Sequence, residues 1–207
     1  MNIVNVFSSL DFGGIESRSC MINKYGMGHS FVGISRGGRA ERDILNNGGS
    51  VTILSCRSRI VSLKAIFKLY RHFKLFKPDV VHCRGAEANF HGLIAAWIAN
   101  VPVRIGEEIG IPNHSLPAKF IFRFVYLLAH RVVGISDSVK NWLIDSGEVT
   151  PDKVCRIYNP VDLSVLRDHK KNFDDDPLTI MKIGFVGRLE VVKNPLALIR
   201  AVHILMM

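Results

Sequence analysis

Residues 78–107 read PDVVHCRGAEANFHGLIAAWIANVPVRIGE, and this stretch decides the fold class. The β-branched run at Asp79–Cys83 predicts a strand, and the small residues of Ala86–Asn100 predict a helix that Pro102 ends. Val103–Glu107 then predicts the next strand. Strands that alternate with helices in this way favour a parallel sheet with helices on both faces.

The same alternation extends outward along the chain in both directions. The further predicted strands are Asn2–Phe7, Ser30–Ser35, Val51–Ser55, Val132–Ile135 and Val154–Tyr158. The further predicted helices begin near Ile15, cover Val61–Phe76 and Ser115–Ala129, and run from an N-cap at Ser136 to Ile144. We therefore predict an α/β, Rossmann-like fold, in which ligands bind beyond the carboxyl ends of the strands.

The composition is that of a globular protein, since 48% of the 207 residues are hydrophobic and 22% are charged. Lys and Arg total 27 against 18 for Asp and Glu, so the formal net charge is +9. This charge favours an anionic partner, which can be a nucleotide, a phosphate, an acidic lipid or a nucleic acid. The cysteines are scattered without a CxxC pair, so we expect free thiols and no zinc site.

A change of composition near residues 168–177 predicts a boundary between domains. We expect a first lobe over residues 1–170, a polar linker over 171–177 and the start of a second lobe over 178–207. This start consists of a strand at Leu178–Val186 and a helix that follows Asn194. One strand and one helix cannot bury a core, so we expect the second lobe to be incomplete.

A set of ordered segments carries a family resemblance. The segments are 13–16 (GGIE), 78–82 (PDVVH), 133–136 (VGIS), 153–162 (KVCRIYNPVD), 185–189 (FVGRL), 193–194 (KN) and 198–201 (LIRA). In order and spacing they resemble the retaining, nucleotide-sugar-dependent glycosyltransferases of the GT-B fold, in family four. The resemblance implies two Rossmann-like lobes that face each other across a cleft, with the acceptor on the N-terminal lobe and the nucleotide sugar on the C-terminal lobe.

The implied function is sugar transfer from a nucleotide-diphosphate sugar to a polysaccharide or lipid-linked acceptor in cell-envelope glycan synthesis. The family's second lobe carries a spaced pair of glutamates, and the chain ends at Met207 before them. We therefore expect a truncated transferase, with little turnover by residues 1–207 alone. The alternative is a catalytically inactive Rossmann-like binding module. Nucleic-acid binding is suggested by charge alone, has no supporting motif, and is not expected.

The donor site is predicted from glycines and cations. Gly13 and Gly14 allow a phosphate to approach the backbone at the start of a helix. By resemblance, Arg188 and Lys193 are the pair that binds the diphosphate, and such fixed cations stabilise the leaving group without a metal. We accordingly expect no metal and no cofactor. Glu16 is either a first-turn acid that favours the helix dipole or an acceptor contact.

The segment Glu107-Glu108-Ile109-Gly110 stands where many family members place a histidine close to the reacting sugar. Glu108 is our candidate catalytic residue, because a carboxylate can accept the proton of an acceptor hydroxyl. It can equally bind sugar hydroxyls or cap the helix near Ser115. The other residues predicted at the acceptor or cleft are Arg84, Glu107, Asn113, His114, Ser136 and Asn159.

Two predicted helices combine basic and aromatic residues. No acid occurs from Ile44 to Pro78, and the aromatic segment Lys119–Arg131 is also basic. Such helices either lie on an anionic membrane or simply cover the core with solvated cations outside. Met1–Phe7 lacks the features of an export signal and no apolar run is long enough to span a bilayer, so we expect a cytoplasmic protein, peripheral on the inner face of the plasma membrane.

Overall fold

The structure is a computed structural model that describes residues 1–11, 14–57, 60–161, 183–187, 189 and 191–206, without the side chains of residues 15–17 and 192. The chain divides into two compact units, Met1–Leu163 and Ser164–Met207. The predicted linker at 171–177 lies outside the described residues, so the predicted domain boundaries stay predictions.

The first unit is built on a parallel sheet. Its strands are β1 (Ile3–Phe7), β2 (His29–Gly33), β3 (Ser50–Ile53), β4 (Val80–Arg84), β5 (Val103–Glu108), β6 (Arg131–Gly134) and β7 (Val154–Arg156). Within the described residues these seven strands lie in the order β3-β2-β1-β4-β5-β6-β7, and every pair is parallel. The order reverses between β1 and β4, which is the point where doubly wound sheets open a ligand crevice. The predicted fold class is confirmed.

Helices cover both faces of this sheet. They are α1 (Gly14–Tyr25), α2 (Arg39–Asn46), α3 (Leu63–Phe76), α4 (Ala86–Ile98), α5 (Leu116–Leu127) and α6 (Asp137–Asp145). Helices α1 and α2 pack over a small cluster around Phe7, Phe31 and Ile44. Helices α3 to α6 pack over the larger cluster on the opposite face, around residues such as Leu69 and Leu93. Side chains of one strand alternate between these two cores.

The second unit is described in part. The predicted helix is present as α7 (Pro195–Leu205), after a short 3-10 turn at Val191–Lys193. The predicted strand at Leu178–Val186 differs from the structure, because the described residues 183–186 are not in a strand and the others lie outside the described residues. A strand is held by hydrogen bonds to a neighbour, and the described residues of this unit supply none.

Candidate functional site

The site begins with the register of three neighbouring strands. Phe7 of β1 pairs with Arg84 of β4, and Arg84 pairs with Glu107 of β5. Paired residues of parallel strands point to the same face, so Arg84 and Glu107 both lie on the face that α1 covers. Arg84 Nε donates to Glu107 Oε2 at 3.3 Å. Gly85 follows with φ at 84°, a conformation that favours glycine, and this turn starts α4 directly after Arg84.

Arg18 of α1 joins this pair from the helix above. Its Nη1 donates to Glu107 Oε1 and, at 2.8 Å, to Asn159 Oδ1 in the loop after β7. The side chain of Glu107 is fully buried, and that of Arg18 is 10% exposed. One guanidinium therefore links α1, the end of β5 and the loop after β7.

His82 completes the cluster. It lies two residues before Arg84 on the same face of β4, and its Nδ1 accepts a hydrogen bond from Arg84 Nη2 at 3.2 Å. Because a guanidinium can only donate, the proton of the neutral imidazole lies on Nε2. That atom lies 2.9 Å from Glu107 Oε2, although the contact is not aligned as a hydrogen bond.

The electrostatics of the cluster leave one positive charge in excess. Burial by itself raises the pKa of Glu107, but His82, Arg84 and Arg18 outweigh it and lower that pKa to about 2. Burial lowers the pKa of His82, so the imidazole is neutral at pH 7. Burial also lowers the pKa of Arg84, to about 10, which leaves it charged at pH 7. Among the described residues the cluster thus holds one carboxylate against two guanidiniums.

Glu108 lies on the opposite face from Glu107. Its Oε1 accepts hydrogen bonds from the Tyr126 hydroxyl at 2.5 Å and from Asn89 Nδ2 at 2.9 Å. The residue is 3% exposed, and burial raises the pKa of its carboxyl. This placement differs from the expected substrate contact, because the carboxylate faces α4 and α5 in the core. The catalytic role of Glu108 stays a prediction, and it requires that Tyr126 and Asn89 release the carboxylate.

The loop after β5 contacts a second buried acid, Glu148, through the side chain of His114. His114 Nδ1 lies 2.8 Å from Glu148 Oε1, and its ring stacks on Phe122 with centroids 4.2 Å apart. Burial raises the pKa of Glu148. His114 is therefore engaged in packing, whereas Asn113 beside it is exposed. The roles of both residues at the acceptor stay predictions.

The other predicted residues are distributed as follows. Gly14 is the first residue of α1, exposed and open to solvent, and Glu16 lies in the first turn of that helix. Ser136 caps α6, since its Oγ accepts from Val139 N at 3.3 Å. Lys193 is exposed in the second unit, and Gly13 and Arg188 lie outside the described residues. No group of three or more potential metal ligands occurs within the part of the chain that is described.

The structure thus brings together three of the predicted site residues, namely Arg84, Glu107 and Asn159. Sequence reasoning missed Arg18 and His82 as members of the site. The position of Arg18 in the sequence was a possible signal. A cation near the N-terminal end of a helix is unfavourable with respect to the helix dipole, so its presence there suggests that an anion pairs with it.

Two helices on the large-core face expose apolar side chains beside cations. On α5 the exposed residues Leu116, Phe120, Phe124 and Leu127 recur every three to four positions, while Phe122 and Tyr126 are buried. On α3, Leu63 and Phe67 are exposed and Leu69 and Phe73 are buried. Each helix therefore covers the core and also presents an apolar ridge to solvent. None of the helices in the described residues has the length and hydropathy needed to cross a bilayer.

Comparisons with known proteins identify a matching family and similar folds. The family described as Glycosyltransferase Family 4 matches residues 26–165. The UDP-Gal:alpha-D-GlcNAc-diphosphoundecaprenol alpha-1,3-galactosyltransferase of Escherichia coli is 29% identical over 156 residues, which cover 68% of this chain and 40% of that protein.

Solved structures share the fold. A glycosyltransferase from Rickettsia africae ESF-5 has a TM-score of 0.67 and 20% identity, over 83% of this chain and 46% of that one. HepE from Anabaena, solved with UDP and glucose, has a TM-score of 0.65 and 19% identity, over 80% of this chain and 46% of that one. The chain therefore spans less than half the length of each of these relatives.

Proposed function

The chain belongs to Glycosyltransferase Family 4, and from this membership we propose that it acts in the transfer of a sugar from a nucleotide-diphosphate sugar to a lipid-linked acceptor in cell-envelope glycan synthesis. The observation that carries the proposal is the similarity to a transferase whose acceptor is a sugar on diphosphoundecaprenol, which extends over 68% of this chain. The seven-stranded parallel sheet, with the fold of a GT-B lobe, supports it.

The residues at the carboxyl edge of the sheet give this lobe a binding role. Arg84, Glu107 and Asn159 are joined by Arg18, which lies in the N-terminal half of α1. We assign acceptor binding to this edge. By resemblance, Arg188 and Lys193 neutralise the leaving diphosphate of the donor, so the proposed reaction uses no metal and no organic cofactor.

The proposed place of action is the cytoplasmic face of the plasma membrane, with α5 against the bilayer. Phe120 and Phe124 are 72% and 59% exposed, and Lys119 and Arg123 lie beside them on the same helix. An exposed aromatic ridge flanked by cations fits a surface of anionic phospholipid, where the ridge enters the headgroup region and the cations meet the phosphates. This contact would bring the lobe to a lipid-linked acceptor.

A second function is binding of the acceptor without transfer. The observation that favours it is the polar cluster of Arg18, Arg84 and Glu107 at the carboxyl edge of the sheet, because binding at this edge requires no transfer. Only transfer consumes the nucleotide sugar, so its consumption distinguishes the two functions.

The test combines transfer and binding in one preparation. The purified chain is incubated with a radiolabelled UDP-sugar and a short-chain polyprenyl diphosphate-linked sugar, and the lipid product is separated by extraction. Transfer of label to the lipid supports the proposed reaction, and saturable acceptor binding without transfer supports the binding function. Absence of both transfer and acceptor binding would overturn both functions for this chain.

A further inference from the structure

We infer that Arg18 and Arg84 form a binding site for a diphosphate group, with the Glu107 carboxylate as an internal competitor for the same two guanidiniums. The inference rests on the proposed function for the identity of the ligand, since both substrates of that reaction carry a diphosphate. The existence of the site rests on the geometry of the cluster alone.

The first observation is how the two guanidiniums are arranged. Arg18 and Arg84 approach the two different oxygens of the Glu107 carboxylate. Two cations that converge on one bidentate anion are arranged as a receptor for an oxyanion, because planar guanidiniums match the oxygens of carboxylate and phosphate alike. Glu107 thus shows what kind of group these arginines bind.

The second observation is the excess of donors. Arg18 Nε and Arg84 Nη1 are buried and have no hydrogen-bond partner among the described residues. Arg84 is 4% exposed and Arg18 is 8% exposed. Buried polar groups in proteins are nearly always paired, so two unpaired guanidinium donors in one cluster point to a further acceptor.

The third observation is a positive charge that no carboxylate among the described side chains compensates. Glu107 neutralises one guanidinium, and His82 contributes no charge at pH 7 because burial keeps its pKa low. A buried charge without a counter-ion is unfavourable, and binding of an anion relieves this cost. Excess charge and unpaired donors lie on the same two side chains, at the carboxyl edge where sheets of this type bind ligands.

The excess positive charge and the free guanidinium donors favour a phosphoryl anion over a neutral sugar as the ligand. A diphosphate carries several charged oxygens, and it can accept from both guanidiniums at once. The nucleotide sugar and the lipid-linked acceptor offer the same group, so the two sources are separated by competition.

The probe is inorganic pyrophosphate, whose binding is followed by calorimetry and by phosphorus NMR with the chain of residues 1–207.

Three variants define the site. Arg84→Gln and Arg18→Gln should each weaken pyrophosphate binding by about tenfold, the loss expected for one charged hydrogen bond. Glu107→Gln removes the competitor while keeping the shape of the side chain, and it should tighten binding. Damage to the fold cannot mimic this gain of affinity. The control is Arg36→Gln, because the side chain of Arg36 is 74% exposed and pairs with Asp11 rather than with Glu107.

Thermal unfolding of each variant reports whether it folds, and Arg18→Gln serves as the loss variant if Arg84→Gln does not fold. The inference is overturned if pyrophosphate shows no saturable binding to the wild-type chain, if both arginine variants bind it as tightly as the wild type, or if Glu107→Gln fails to tighten binding.

Competition then identifies the substrate. Displacement of pyrophosphate by UDP assigns the site to the donor, and displacement by farnesyl diphosphate below its micellar concentration assigns it to the acceptor. Displacement by neither would overturn the assignment to a substrate diphosphate. Pyrophosphate binding requires no transfer, so a failed transfer assay with intact pyrophosphate binding would count against transfer by this chain and leave the anion site standing.

Discussion

Arg18 and Asn159 are 141 positions apart in the sequence, yet Arg18 Nη1 donates to Asn159 Oδ1 at 2.8 Å. The same nitrogen also binds Glu107. Because Arg18 lies in the first helix of the first unit and Asn159 in the loop after its last strand, the beginning and the end of that unit meet at the candidate site.

Arg18→Met should lower the free energy of unfolding by about 2 kcal/mol, because it removes a charge-assisted hydrogen bond to the buried Glu107 carboxylate while Arg84 remains as its counter-ion. Asn159→Ala removes only a hydrogen bond at an exposed residue, and it should cost less than about 1 kcal/mol. Urea unfolding followed by circular dichroism measures both values. Equal losses for the two variants would show that the Arg18–Glu107 pair is not the stabilising part of the link.

Glu107→Gln should change the pH dependence of stability in acid. The Glu107 pKa is depressed from 4.5 to about 2 in the folded protein, so the carboxylate stabilises the fold above pH 4.5 and loses this contribution as the pH falls towards 2. At 1.36 kcal/mol for each pKa unit, the contribution is ~3 kcal/mol at neutral pH. The difference in unfolding free energy between wild type and variant should therefore shrink from pH 6 to pH 3. A difference that does not vary with pH would contradict the assigned charge network.

Glu108→Gln should show the opposite slope. Burial raises the pKa of Glu108, so the folded state favours its protonated form at low pH, and this contribution is lost as the pH rises through the folded-state pKa. The variant, which is neutral at every pH, should gain stability relative to wild type as the pH increases from 4 to 8. The same unfolding titration checks this expectation, and Glu107→Gln is its matched control on the other face of the same strand. Parallel slopes for the two variants would be incompatible with the burial described for Glu108.

The double variant Phe120→Gln, Phe124→Gln should reduce binding to vesicles of phosphatidylglycerol and phosphatidylcholine. Both rings are exposed, so the change removes apolar contact with the bilayer and leaves the core intact. Vesicle sedimentation at low and high salt measures the loss, and salt should weaken wild-type binding because the cations of α5 contribute to it.

The matched control for the vesicle experiment is Met27→Gln, Leu45→Gln. These residues are 94% and 48% exposed, and Leu45 lies in α2 on the other face of the sheet. The control should bind vesicles like the wild type. If both double variants lose binding equally, or if the wild type does not bind at low salt, α5 is not a membrane contact.

The order of strands and helices could be predicted from the sequence because each strand of a doubly wound sheet is a short, buried, β-branched run. Helix α2 was not predicted. Its sequence RAERDILN is mostly polar, and only Ala40 and Ile44 are buried in it. A helix of 8 residues with only two buried positions is too short and too polar to stand out from the loops and glycines around it.

Only those contacts of the candidate site that follow from the order of the strands could be predicted from the sequence. Arg84 and Glu107 end neighbouring strands, so their proximity follows from the order of the sheet. The contacts of Arg18 and Tyr126 depend on how helices pack over that sheet, and sequence spacing does not encode this packing. Glu108 illustrates the difference. It is the last residue of β5, and the face of the sheet to which its side chain points depends on the register of that strand.

Glu107 and Glu108 are chemically alike neighbours with opposite surroundings, one among arginines and the other beneath a tyrosine. Because side chains alternate along a strand, deletion of a single residue between Pro102 and Gly106 would exchange the two surroundings. Length changes in this segment should therefore be tolerated less well than length changes in the loop that follows Glu108. Libraries that vary this region should accordingly keep the strand at constant length and diversify residues 109–113.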